Sequence, residues 1–136
     1  MTSDELKAAA KQIVTDRAVF FMATVEGTTP RVRPMTCIHA DGFRVWTASH
    51  KDTGKMRQLS RNNTVECCFL DARNRQVRLR GTVTILETEE AWAGIPVSPQ
   101  FTPMVEDPNW VLLRIDPQEI RVVQDWSLDY HTIPVE

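Results

Sequence analysis

One stretch of the chain alternates between polar and apolar residues, and it reads Gln76-Val77-Arg78-Leu79-Arg80-Gly81-Thr82-Val83-Thr84-Ile85-Leu86. Successive side chains of a β-strand point to opposite faces, so this period of two predicts a half-buried strand. Val77, Leu79, Val83 and Ile85 form its apolar face. Gln76, Arg78 and Arg80 share the opposite, polar face.

Shorter apolar runs on both sides of this stretch predict further strands, separated by turn residues. These strands cover residues 18–25, 31–39, 43–47, 64–70, 110–115 and 120–123. The turns are expected at Glu26-Gly27, Asp41-Gly42, 71–75 and Asp116-Pro117. Helical spacing predicts helices over residues 3–16 and 52–61 and a short one from Thr88. Residues 94–109 contain four prolines and are expected to be irregular.

Six or seven short strands with two or three short flanking helices indicate a mainly β (α+β) protein. Most connections are too short for the crossovers that a parallel sheet needs, so the sheet is predicted to be antiparallel. A closed barrel removes the exposed edges of such a sheet. The length of 136 residues fits one domain, and we expect residues 1–136 to form it.

The overall charge is close to neutral, with 16 basic against 18 acidic residues and a formal net charge of −2. Nothing in this balance calls for nucleic acid or a membrane surface as partner. The first residues are polar and lack the apolar stretch of a secretory signal, and no apolar run is long enough to span a bilayer. We therefore expect a cytoplasmic protein. Cys37, Cys67 and Cys68 lie within apolar runs and are expected to be buried free thiols.

No known catalytic motif is present: the sequence lacks a dinucleotide fingerprint, a phosphate-binding P-loop and a nucleophile elbow. The three histidines, His39, His50 and His131, are far apart and have no partners at metal-ligand spacing. No catalytic residue can be assigned and no metal is expected. The chain therefore resembles a binding barrel that takes its chemistry from a cofactor.

Two basic segments are the most informative polar features. Arg31 and Arg33 lie two apart on a predicted strand, hence on one face, and Lys55 lies near a helix start. Arginine, lysine and helix N–H groups together suit a phosphate. A solvated strand face is the alternative for Arg31 and Arg33.

The second segment, residues 73–80, is the most basic of the chain and could be a platform for single-stranded nucleic acid. It has no interleaved aromatic residues for stacking, so a hydrophilic strand face is favoured. Of the four tryptophans, Trp46, Trp92, Trp110 and Trp126, most are expected in the core. Trp46, at a strand end beside Thr47, is the best candidate to cover a planar ligand.

Taken together, these segments resemble the pyridoxamine 5′-phosphate oxidase-like family of FMN-binding split barrels, and within it the small, general-stress-protein-like members. The resemblance runs from about Ala18 to Val123. Its motifs are residues 30–36 (PRVRPMT), Trp46-Thr47 followed by Thr53-Gly54-Lys55 and residues 59–65, and residues 75–83 (RQVRLRGTV). The stretch 107–117 (DPNWVLLRIDP) is similar to the final hairpin of this group.

The resemblance implies a homodimer with FMN in two clefts between the subunits, and a small-molecule oxidoreductase whose other substrate could be a nicotinamide nucleotide. Arg31 and Lys55 would contact the FMN phosphate, assisted by Thr53 and with Arg33 as a neighbouring candidate. Val32 to Thr36, including Met35, would run along the flavin. The remaining positions that match the family's cofactor site are Trp46, Thr47, Gln76 and Trp126.

The same barrel serves reductases that use a deazaflavin and proteins that bind haem, and the fold alone does not choose among these ligands. Haem would require His39, His50 or His131 as an iron ligand. Oxidation of pyridoxine phosphate is not expected, because residues 130–134 (YHTIP) offer no basic cluster to hold the substrate phosphate. In addition, Thr53-Gly54 replaces the family's serine before the phosphate-binding lysine.

Overall fold

The predicted alternation corresponds to seven antiparallel strands and four short helices within the described residues, 2–124 and 129–135, of a computed structural model. A single 3₁₀ turn covers Pro99–Phe101. The helices are α1 (Ser3–Lys11), α2 (Gly54–Arg61), α3 (Glu89–Ala93) and α4 (Thr102–Glu106). The strands are β1 (Val19–Glu26), β2 (Thr29–Asp41), β3 (Arg44–His50), β4 (Thr64–Leu70), β5 (Gln76–Leu86), β6 (Trp110–Val123) and β7 (His131–Ile133).

The strands form one sheet in the order β3-β2-β1-β4-β5-β6-β7. A further pairing between β3 and β6 closes the first six strands into a barrel. The strand β7 pairs with the C-terminal part of β6. Every pairing is antiparallel. The prediction of a mainly β, closed antiparallel barrel is therefore confirmed.

The last part of the barrel differs from the sequence prediction of two strands divided at Asp116-Pro117. β6 is continuous through both residues, so that prediction is wrong. Pro117 lies opposite Gly81, where the register of β5 and β6 shifts, and this irregularity accommodates a residue that has no N–H to donate. A side chain at position 81 would collide with the backbone carbonyl of Asp116, so glycine is required there. The short strand β7 was not predicted.

The helices also differ in extent. Thr2 caps α1 by accepting a hydrogen bond from the backbone N–H of Glu5 at 3.1 Å. The helix ends at Lys11, five residues before the predicted end, although Ile13 and Val14 remain buried. α4 lies in the segment that was expected to be irregular. No helix of the described chain has the length and apolar character that crossing a bilayer requires.

Apolar side chains of all six barrel strands fill the interior. Phe20 of β1 stacks on Phe69 of β4 with ring centroids 4.6 Å apart, and both are fully buried. A smaller cluster lies outside the barrel, where Trp92 and Phe101 pack with Ile38 and Leu112. This cluster fixes the segment that carries α3 and α4 against the outside of β3. It thereby places α4 beside the outer face of β2.

Candidate functional site

Arg33 lies on the interior side of β2, two residues from Arg31, as the strand period predicts. Its Nη1 donates to Oγ1 of Thr24 at 2.7 Å and to the carbonyl of Met22 at 3.2 Å. Its Nη2 donates to Oε1 of Gln58 on α2 at 2.9 Å. Arg33 therefore ties β1 and β2 to the helix that carries Lys55, and its guanidinium is held in one orientation.

Arg31 has a different environment. It lies near the β1–β2 turn, is about half exposed, and pairs with the Glu26 carboxylate at 3.2 Å. Gln58 also donates to Glu26, at 3.1 Å. The hydrogen bonds from Arg31 and Gln58 lower the pKa of Glu26, so this carboxylate is ionised beside Arg31. Because Arg31 already has an anionic partner, Arg33 and Lys55 are better candidates than Arg31 for holding a phosphate.

Lys55 occupies the first turn of α2 and is half-buried. Burial lowers the pKa of its ammonium, and the positive charge of Arg33 lowers it further. Within residues 2–124 and 129–135, the ammonium group of Lys55 makes no hydrogen bond or ion pair. A partly desolvated cation beside a second cation is stabilised when an anion binds to both.

Lys55 lies at one wall of a groove of about 350 Å³ on the outer face of β2, called here the Lys55 groove. The volume is within the range of roughly 300–1,000 Å³ that is usual for small-ligand sites. Apart from Lys55 and Thr36 the walls are apolar. The lining residues are Val19, Pro34, Met35, Thr36, Ile38, Ala48, Lys55, Met104 and Trp110.

The structure brings Met35, Thr36 and Lys55 together in this groove. Thr53 precedes α2, but its hydroxyl bonds to the carbonyl of His50 at 3.2 Å and to Ser49 at 3.2 Å. Val32 is on the same outer face of β2 as Thr36 and is 69% exposed. It lies at a neighbouring concavity with Phe21, outside the groove lining.

Trp46 and Thr47 do not line the groove. The Thr47 side chain points into the barrel and donates to the carbonyl of Thr36 at 2.7 Å, which fixes the backbone on which the groove is built. Trp46 points outward, packs against the outer apolar cluster and lies 5.4 Å from the His39 ring. Trp110, for which the sequence favoured the core over a ligand site, is the tryptophan found in the described lining.

Gln76 lies on the outer side of β5 and not in the Lys55 groove. The Tyr130 hydroxyl donates to its Oε1 at 3.3 Å, and the Tyr130 ring lies 4.8 Å from the guanidinium carbon of Arg78. In a single chain the predicted site residues are therefore divided between two surfaces. Trp126 lies outside the described residues.

Between these two surfaces the barrel exposes large apolar side chains. Val19, Phe21 and Val32 are 57%, 47% and 69% exposed on neighbouring strands, and Leu70 at the end of β4 is 52% exposed. This set is called the outer apolar face. Contiguous apolar surface of this kind marks an interaction site more often than a solvated face.

Sequence reasoning missed three contributors. Thr24 and Gln58, hydrogen-bonded to each other at 2.6 Å, hold Arg33. Nothing in the sequence pattern around either residue indicates this role. Met104 closes the groove from α4, inside the segment that was expected to be irregular. The proline at the start of α4 is compatible with a helix beginning there and was the available signal.

The remaining reactive groups include three cysteines, none of which forms a disulfide. Burial, assisted by the negative charge of Asp16, raises the pKa of the Cys37 thiol to about 12. Burial also raises that of Cys67, and all three cysteines are free, with Cys68 only half-buried. No group of metal-binding side chains occurs among the described residues.

The sequence of residues 6–124 matches the model of the pyridoxamine 5′-phosphate oxidase family. The chain belongs to this family. It is also 28% identical over 132 residues to general stress protein 26 of Bacillus subtilis, a match that covers 90% of this chain and 91% of that protein. Membership and the observed barrel agree with the resemblance drawn from the sequence motifs.

This chain shares its fold with solved structures of proteins that have different names. A protein related to general stress protein 26 from Clostridium acetobutylicum has a TM-score of 0.81 at 17% identity, covering 99% of this chain and 97% of that one. An F420 reductase has a TM-score of 0.63 at 19% identity, covering 81% and 94%. A haem-binding protein of Mycobacterium smegmatis has a TM-score of 0.75 at 15% identity, covering 97% and 58%. At these identities the likeness concerns the fold alone.

Proposed function

We propose that this protein binds FMN in the Lys55 groove and is a small-molecule oxidoreductase. The observation that carries the proposal is the half-buried Lys55 at one wall of an apolar groove, where its ammonium has no ion-pair partner among the described residues. FMN combines a dianionic phosphate with a flat, largely apolar ring, and the groove offers a complement to each part. When bound, FMN supplies the redox chemistry.

The phosphate end is assigned to Lys55 and Arg33. Three hydrogen bonds hold the Arg33 guanidinium in place, so little side-chain freedom is lost when an anion arrives. A bound phosphate would also offset the repulsion between the positive charges of Lys55 and Arg33. Arg31, paired with Glu26, is assigned a weaker, supporting role.

The apolar walls are assigned to the ring. Pro34, Met35 and Thr36 supply one wall from β2, and Met104 and Trp110 supply the other. These residues orient the ring and exclude water from it. Lys55 is the only titratable side chain among the described residues of the lining, so no acid–base pair is assigned.

The second part of the proposal is a homodimer in which the outer apolar face is covered by a second copy. Gln76 and the Lys55 groove lie on different parts of one chain, with the outer apolar face between them. Pairing two copies through that face would cover Phe21 and Val32 and let each subunit contribute to the partner's groove. A nicotinamide nucleotide is the proposed electron donor.

The visible spectrum of the purified protein tests the ligand. We expect the two absorption bands of flavin, with FMN released in equal molar amount on denaturation. A Soret band would identify haem instead, and release of a deazaflavin would replace FMN by that cofactor. A colourless protein whose melting temperature does not rise with added FMN would overturn the proposal, because a ligand of the native state must stabilise it.

Sedimentation of Phe21→Glu tests the dimer. A charge on the outer apolar face should convert a dimer into a monomer, whereas Val105→Glu, which changes an exposed valine of α4, should leave the dimer intact. A wild-type monomer that retains FMN would contradict a site shared between subunits.

A further inference from the structure

A second cavity, of about 440 Å³, lies between α2 and the β1–β2 turn. Gly54, Arg57, Gln58 and Arg61 line it, and their spacing along α2 places them on one face of the helix. Lys55 belongs to a different face and lines the Lys55 groove. The two cavities share no lining residue, so α2 separates them. The second one is called here the Arg57 cavity.

The described lining of the Arg57 cavity is net positive, with Arg57 and Arg61 against Glu26, although the chain as a whole carries a formal −2. α2 bears Lys55, Arg57 and Arg61 and no acidic residue. Glu26 is the only acid among the described lining residues, and Arg31 and Gln58 already bind its two oxygens at 3.2 and 3.1 Å. Arg57 attracts Glu26 through its charge but makes no ion-pair contact with it, so a phosphate at Lys55 and Arg33 would leave Arg57 and Arg61 without a directly bound anion.

The donors of the cavity converge near Gly54. A Cβ on Gly54 would lie 3.6 Å from Nε2 of Gln58 and 3.8 Å from Nη2 of Arg57, so an amide and a guanidinium lie beside its bare Cα. Neither Arg57 nor Arg61 forms a side-chain ion pair within the described chain. Two guanidinium groups one turn apart suit an anion with several oxygens.

We propose that the Arg57 cavity is a second anion site, which holds the phosphate or diphosphate group of a phosphorylated small molecule. Its volume exceeds that needed by a bare anion and is within the range of small-ligand sites, so the ligand carries further groups. The site does not depend on the proposed flavin function. If FMN occupies the Lys55 groove, the second molecule is held on the opposite side of α2.

Calorimetric titration of the full-length protein, saturated with FMN, with inorganic diphosphate tests the site. We expect Arg57→Gln/Arg61→Gln to weaken diphosphate binding about tenfold or more while FMN affinity is kept. The matched control is Arg17→Gln/Arg73→Gln, which removes the same charge from two exposed arginines elsewhere and should leave the affinity unchanged. Lys55→Met should show the reverse pattern, with FMN weakened and diphosphate retained.

Absence of diphosphate binding to the wild type, or equal affinity in Arg57→Gln/Arg61→Gln, would overturn the site. If Arg57→Gln/Arg61→Gln loses as much FMN affinity as Lys55→Met, the Arg57 cavity is part of the cofactor site, and the proposal of a second site is overturned too. If the wild type binds no FMN, but diphosphate affinity falls only in Arg57→Gln/Arg61→Gln, the anion site stands and the flavin proposal fails. In a second arm, ADP should bind at least as tightly as diphosphate, and exclusion of ADP would contradict a ligand larger than the anion.

Discussion

The two basic regions of this barrel are similar in sequence, but they differ in whether their side chains have partners in the fold. On β5 and its preceding turn, Arg75 pairs with the Asp71 carboxylate at 2.7 Å, Arg80 donates to the amide oxygen of Gln118 at 2.9 Å, and Arg78 lies over the Tyr130 ring. Around α2, Lys55, Arg57 and Arg61 have no such partners among the described residues. The number of basic residues is therefore a poor guide to an anion site, and the number of unmatched ones is a better guide.

The largest expected effect comes from Arg33, which is both a cation of the site and a structural tie. Arg33→Ala removes three hydrogen bonds and leaves the polar groups of Thr24 and Gln58 less satisfied, so we expect a loss of about 2–3 kcal/mol in the free energy of unfolding. Arg75→Ala, in the turn before β5, should cost about 1 kcal/mol or less. Urea denaturation of both variants measures the difference, and equal losses would remove the distinction between the two regions.

A smaller effect is expected on cofactor affinity. Lys55→Met should weaken FMN binding by about 1.5–2 kcal/mol, because a charge-assisted contact to the phosphate is lost and the apolar stem is kept. Arg80→Met makes a matched change on β5 and should leave the Kd unchanged. Fluorescence titration of the apoprotein measures both. An equal loss in the two variants would indicate a general charge effect and not a site.

The ion pair between Asp71 and Arg75 in the turn before β5 predicts a pH dependence of the stability. Burial tends to raise the pKa of Asp71, but hydrogen bonds from Arg75 and Arg73 outweigh it, so the folded pKa lies below the unfolded value of 3.8. A lowered carboxylate pKa stabilises the fold above the unfolded value, and this stability is lost as the pH falls through the folded value. Asp71→Asn should therefore cost up to about 1 kcal/mol at neutral pH and nothing in strong acid. A pH-independent cost would contradict the pairing.

The smallest expected effect is a gain in the stability of the apoprotein when Lys55 is replaced, and not a loss. The pKa of Lys55 is lowered, so its charged form is disfavoured in the folded, ligand-free protein. Lys55→Met should then stabilise the apoprotein at neutral pH by roughly 0.5 kcal/mol. Raising the pH should narrow the difference, because the wild-type lysine also becomes neutral. Thermal melts without FMN measure it, and a destabilised variant would mean that Lys55 has a partner in the apoprotein.

Much of the fold was predictable because it depends on short-range patterns. The period of two in residues 76–86 and the Asp41-Gly42 turn, where Gly42 has a φ of 60°, are local features. β6 was not predictable as one strand, because the Gly81 position that accommodates Pro117 lies on another strand. β7 was missed since its three residues are stabilised by pairing with β6 and not by their own pattern.

The candidate site was predictable in part. The sequence placed Arg31 and Arg33 on one face and identified Lys55, but it ranked Arg31 above Arg33 as a phosphate contact. The structure pairs Arg31 with Glu26 and directs Arg33 toward Gln58 of α2. Met104 and Trp110 enter the groove only because the α3–α4 segment packs against β3.

The sequence by itself determined the antiparallel barrel, the family and the presence of two basic segments, because strand period, turn residues and motif order are encoded in neighbouring positions. Only the tertiary structure decided which basic residues have acidic partners, which tryptophan lines the groove and where the apolar surface is left exposed. These properties depend on distances between residues far apart in the chain. Closure of the barrel sets those distances.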